Sequence, residues 1–78
     1  MYITITIEAG DKRFDLSIDE RGSAASAYAI LKEKGMITGA AKPSHFKSML
    51  LGEWIDAKKP LIEQGVVSGD LLSAPALR

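Results

Sequence analysis

Residues 2–7 read Tyr-Ile-Thr-Ile-Thr-Ile, and this strict alternation constrains the chain more than any other feature. Tyr2, Thr4 and Thr6 share one side of an extended segment, and Ile3, Ile5 and Ile7 share the other. All six are β-branched or aromatic, so a strand over about residues 1–8 is predicted, with its isoleucine face needing cover. The alternation resumes after Glu8-Ala9-Gly10-Asp11-Lys12, a polar hairpin loop with a glycine suited to positive φ. In the second strand, about 12–18, Phe14, Leu16 and Ile18 face inward while Arg13, Asp15 and Ser17 face outward.

A helix over about 23–34 supplies the cover. Ser23 is a suitable N-cap, because its hydroxyl can accept from first-turn N–H groups. Ala24, Ala27, Tyr28 and Leu31 recur at helical spacing, with Ile30 widening the stripe. Lys32 and Lys34 suit the C-terminal end of the dipole, and Gly35 suits a left-handed cap. Four alanines among residues 24–29 allow close approach to the sheet. A helix this short gains its stability from that packing.

A connector with Gly39 and Pro43 leads to a third strand over about 45–51. Its two faces, Phe46-Ser48-Leu50 and Lys47-Met49-Leu51, are both partly apolar, so alternation alone does not orient it. Beyond it come a turn at Gly52-Glu53, a short strand at 54–55, and a Pro-led turn at Lys59-Pro60-Leu61-Ile62. A tight turn at Ser68-Gly69-Asp70 precedes a last strand over about 71–77, in which Pro75 cannot donate to a ladder. The whole is α+β: a mixed sheet of four to five strands on one helix, in a single domain covering 1–78.

Composition narrows the function. A 78-residue chain buries only about 60–65% of its unfolded surface, and without cysteine it has no disulfide or thiolate metal site to help it. With 46% apolar residues, packing is sufficient. Ten basic against ten acidic side chains leave no net charge, which disfavours nucleic acid or an anionic membrane as partner. No apolar run reaches membrane-spanning length and MYITITIEAG has no basic leader, so a cytoplasmic location is expected. His45 is the sole histidine, and catalysis or metal binding there needs companions that the sequence does not place beside it. Asp11, Asp15, Asp19 and Glu20 read as a solvated face. Gly65 and Gly69 precede no helix and so form no phosphate loop. No catalytic residue and no cofactor is expected.

The order hairpin, helix, strand, short strand, one-turn helix, strand is similar to the ubiquitin-like β-grasp. From Met49 to Ala76 the sequence lies along ubiquitin without a gap. Gly52 then matches its turn glycine, Ile55 and Leu61 buried leucines, Val66 a buried isoleucine and Leu72 a buried leucine. The first hairpin needs one extra loop residue. Among such proteins the chain most resembles the bacterial YukD/EsaB group associated with type VII (WXG100) secretion. The shared features are the opening MYITITI, the FDL of strand two, and the ending carried by Leu61, Gly65, Val66, Gly69, Asp70 and Leu72.

That resemblance implies a non-catalytic interaction module, a small component or regulator of such a secretion system. Its implied partners are proteins, including membrane-associated secretion components, with the chain itself a monomer or weak homodimer that does not insert into a membrane. It also implies that Phe46, Ser48 and Leu50 point at the helix. Lys47, Met49 and Leu51 are then left on the open face with Ser73 and Pro75, and Trp54 stands at the rim. Met49 matches the isoleucine at the centre of ubiquitin's recognition patch, and Pro75 the neighbouring valine. Lys47, Met49, Leu51, Trp54, Ser73 and Pro75 are therefore the expected protein-binding residues. The ending Ala74-Pro75-Ala76-Leu77-Arg78 lacks the Gly-Gly of conjugated modifiers and the terminal glycine of sulfur carriers. Neither chemistry is expected; the alternative, a sulfur carrier or conjugated modifier, requires a longer precursor that supplies the glycines.

Overall fold

A computed structural model describes residues 1–38 and 42–75. Five strands and one helix follow in the order β1 (Tyr2–Ala9), β2 (Lys12–Asp19), α1 (Ala24–Glu33), β3 (His45–Ser48), β4 (Glu53–Asp56) and β5 (Leu71–Ser73), with a short 3-10 helix at Ile62–Gln64. The strands form one sheet in the order β2-β1-β5-β3-β4. The β1–β5 pair is parallel and the others are antiparallel, so the sheet is mixed.

Alternation dictates the layering. Ile3, Ile5 and Ile7 of β1 and Ile18 of β2 are buried with Phe46, Ile55 and Leu72 from the other strands. α1 covers this face with Ala24, Ala27, Tyr28 and Leu31, and the Tyr28 ring meets Phe46 edge to face at 5.8 Å. Ser23 caps the helix as a capping box: its hydroxyl accepts from the Ser26 N–H while the Ser26 hydroxyl accepts from the Ser23 N–H. Gly35 follows with φ of 75°, the left-handed conformation that ends a helix. The segment around the 3-10 helix is tied back to the start of α1, since Ala25 N–H donates to Ala57 and Leu61 N–H to Gly22.

Five expectations need correction. The first loop is shorter than Glu8–Lys12, because Ala9 pairs with Lys12 and only Gly10 and Asp11 make the turn. Gly10 has φ of 65°, which suits a two-residue hairpin led by glycine. Ile30 is 42% exposed, because the core needs only the narrower stripe through Ala27 and Leu31. β3 stops at Ser48 rather than continuing to residue 51, and Leu50 is 62% exposed instead of facing the helix. The short strand is longer than 54–55, running from Glu53 to Asp56. β5 ends at Ser73, short of the expected 77, as Pro75 has no N–H with which to continue a ladder; residues 76 and 77 lie outside the described residues.

Candidate functional site: the open face of the sheet

The face away from α1 carries one continuous transverse row. Register places Arg13 opposite Glu8, Glu8 beside Ser73, Ser73 beside Lys47 and Lys47 opposite Trp54, one residue from each of the five strands. Their chain neighbours Phe14, Ile7, Leu72, Phe46 and Ile55 all point into the core or pack against it, so the row itself must point out. Side-chain contacts link it. Arg13 Nε lies 2.8 Å from Glu8 Oε2, Ser73 Oγ donates to Glu8 Oε1 at 3.0 Å, and Lys47 Nζ stands 5.7 Å from the centre of the Trp54 ring. The last distance is within cation–π range. Arg13 first, and then Ser73, holds the Glu8 carboxyl below its ordinary pKa. Asp19, at the end of β2, is likewise lowered, chiefly by the Arg21 N–H that it accepts.

At the β3–β4 end the row meets an apolar cluster. Trp54 is 54% exposed, Met49 66% and Leu51 37%, and Leu50 is exposed as well. This cluster is not loose. The turn from Met49 to Gly52 is built on Asp70, which is fully buried. Asp70 Oδ2 accepts from the Ser48 hydroxyl, Oδ1 accepts from Leu50 N–H at 3.1 Å, and Ser48 Oγ in turn accepts from Leu51 N–H at 3.2 Å. Met49 N–H donates to the Leu71 carbonyl at 3.0 Å, and Gly52 closes the turn with φ of 68°. A buried carboxyl group with every contact satisfied fixes the backbone around it. Here it halts β3 at Ser48 and turns three apolar side chains toward solvent.

Of the six residues expected to form a patch, Lys47, Trp54 and Ser73 stand in one row, and Met49 flanks it beside Leu71. Leu51 turns away and lies over Gly65. Pro75 stands apart, at the other end of β5, lining a cavity of about 470 Å³ with Gly10, Tyr28 and Ile37. The β3–β5 register is the reason: it sets Leu71, not Pro75, beside Met49. Residues that sequence reasoning passed over include Leu50, Leu71, Glu8 and Arg13. Strand alternation marks the last two as outward, and the pairing that joins them to Lys47 is a property of the sheet order. Asp70 reads in the sequence as an ordinary turn residue.

His45 is exposed, with Ser44 Oγ 3.1 Å from its Nδ1. Among the described residues, no group of three or more histidine, aspartate or glutamate side chains is placed to hold a metal ion. No helix among them is long and apolar enough to cross a membrane.

No protein-family model and no curated protein matches the sequence. Solved structures do. The ubiquitin-like domain of Dsk2 from Plasmodium falciparum superposes with a TM-score of 0.61 at 19% identity, covering 96% of this chain and all of that one. The ubiquitin-like domain of EccD5 from Mycobacterium xenopi gives 0.60 at 20% identity, covering all of this chain and 97% of that one. Identity at this level speaks for architecture alone, and the mixed five-stranded sheet on one helix agrees with it: the chain has the ubiquitin-like β-grasp fold.

Proposed function

We propose that this chain is a non-catalytic interaction module whose open sheet face docks a protein partner. The observation that carries this reading is the display of Met49 and Leu50 on a turn held by the buried Asp70–Ser48 network, together with the exposed Trp54 of β4. Isolated exposed apolar residues are common and cheap. A fully buried aspartate spent on orienting an apolar turn is neither, since burying its polar atoms carries a desolvation cost of about 1–3 kcal/mol that only satisfied hydrogen bonds offset. Tryptophan is enriched among residues that dominate binding energy, and methionine adapts its shape to a contacting surface.

The resemblance to the YukD/EsaB group supports a narrower role: a small cytoplasmic component or regulator of a type VII (WXG100) secretion system, bound to membrane-associated parts of that machinery. A capture experiment from lysate of the native host tests both levels. Wild-type protein is expected to retain a secretion component, while Trp54→Ala and Met49→Ala each weaken capture by more than about 1 kcal/mol, some fivefold, with the fold intact. Capture unchanged by both substitutions would remove the open face from the account. Capture of a partner unrelated to secretion would leave the face and remove the pathway.

A further inference from the structure

The sheet order leaves two outer strands, β4 and β2, and they are finished differently. The end of β4 is capped by a side chain. Gln64 Oε1 accepts from Asp56 N–H at 2.7 Å and Gln64 Nε2 donates to the Asp56 carbonyl at 2.9 Å, so the amide occupies the place of a further strand. β2 has no such closure. Thr6 N–H donates to Asp70, Gly69 N–H to Thr4, and Ala74 N–H to Glu8, which directs the even-numbered residues of β1 toward β5. Ile3, Ile5, Ile7 and Ala9 are left to exchange hydrogen bonds with Ile18, Leu16, Phe14 and Lys12. The N–H and C=O groups of Arg13, Asp15 and Ser17 therefore point out of the sheet, and among the described residues none has a backbone partner there.

We propose that β2 pairs with β2 of a second copy, antiparallel about a twofold axis at Phe14, to make a ten-stranded sheet. Charge selects this register. For the outward groups to bond, odd-numbered residues must oppose odd-numbered ones. An axis at Arg13 sets arginine against arginine, and an axis at Asp15 sets aspartate against aspartate. An axis at Leu16 needs the Asp19 backbone, whose carbonyl already accepts from Gly22 N–H at 2.8 Å. The axis at Phe14 sets Arg13 of each copy against Asp15 of the other, twice, and Phe14 against Phe14 on the helix side. Opposite charges and aromatic pairs directly across strands are stabilising, and like charges there are not.

The side chains have capacity for it. Arg13 uses Nε on Glu8, which leaves its two terminal nitrogens, and Asp15 uses Oδ1 on the Thr6 hydroxyl, which leaves Oδ2. The edge charges that usually deter strand pairing here choose one partner strand, a copy of the same one. β2 lies at the opposite end of the sheet from Trp54, so the pairing shares only the Arg13 end of the open face and leaves the Trp54 end uncovered.

Sedimentation of the purified chain, of Arg13→Asp, of Asp15→Arg, of the double swap, and of the two single variants mixed tests the inference. The wild type is expected to self-associate below about 1 mM, with each single variant weakened at least tenfold. The mixture should form a heterodimer, since the acidic edge of one variant meets the basic edge of the other, and the double swap should restore the homodimer. Circular dichroism confirms that each variant is folded. A wild type monomeric at about 1 mM, single variants that associate as the wild type does, or a mixture that fails to pair would each overturn it.

Discussion

At the residue scale the turn after β3 depends on Asp70. Replacing it by alanine strips the Ser48 hydroxyl and the Leu50 N–H of their acceptors. A loss of about 2–3 kcal/mol in urea unfolding is expected, with little change in the slope of the transition. A loss below about 0.5 kcal/mol, the range of inconsequential surface changes, would mean that the turn does not depend on this carboxyl. Glu8 offers a second test. Because Arg13 and Ser73 lower its pKa in the folded chain, its contribution to stability is complete above the ordinary carboxylate range. That contribution fades as pH falls through the folded-state value. Nuclear magnetic resonance titration should find the Glu8 carboxyl titrating below a peptide glutamate and moving back toward it in Arg13→Gln. Titration unaffected by Arg13→Gln would remove the guanidinium as the cause.

These residues also mark the limit of what the sequence discloses. Ile3, Ile5 and Ile7 announce a buried face because a period of two leaves few alternatives. Asp70 discloses nothing of its burial, since Gly-Asp suits any exposed turn and its partner Ser48 lies 22 residues earlier. The resemblance to the ubiquitin-like fold places Leu50 toward the helix, on the assumption that β3 continues to residue 51. The hydrogen bond from its own N–H to Asp70 ends that strand first.

At the scale of elements, the hairpin and the helix are local and were legible: alternation, a serine cap and a terminal glycine specify them within about a dozen residues each. β3, β4 and β5 are three or four residues long and owe their positions to one another. That is why their ends differ from those that alternation predicts. Gln64 tests how an element end is held. Gln64→Ala removes both bonds to Asp56 and should cost about 1–2 kcal/mol in thermal or urea unfolding, whereas Gln64→Glu keeps the acceptor and loses the donor to the Asp56 and Lys59 carbonyls. The glutamate variant should fall between wild type and alanine. Equal stability of all three would show that the β4 edge needs no closure.

At the scale of the whole molecule, one face of the sheet holds the structure together and the other is the proposed docking surface. α1 and the core face consume Ile3, Ile5, Ile7, Phe46, Leu61 and Leu72, while the open face joins all five strands through Arg13, Glu8, Ser73, Lys47 and Trp54. The most direct measurement of this division uses isotope-labelled protein titrated with whichever partner the capture experiment retains. Amide shifts and line broadening should concentrate at Lys47, Met49, Leu50, Trp54 and Ser73, with the Trp54 indole N–H among the most affected. Shifts confined instead to the exposed side of α1, around Ala29, Ile30 and Glu33, with the Trp54 indole unmoved, would contradict the assignment of the open face as the docking surface.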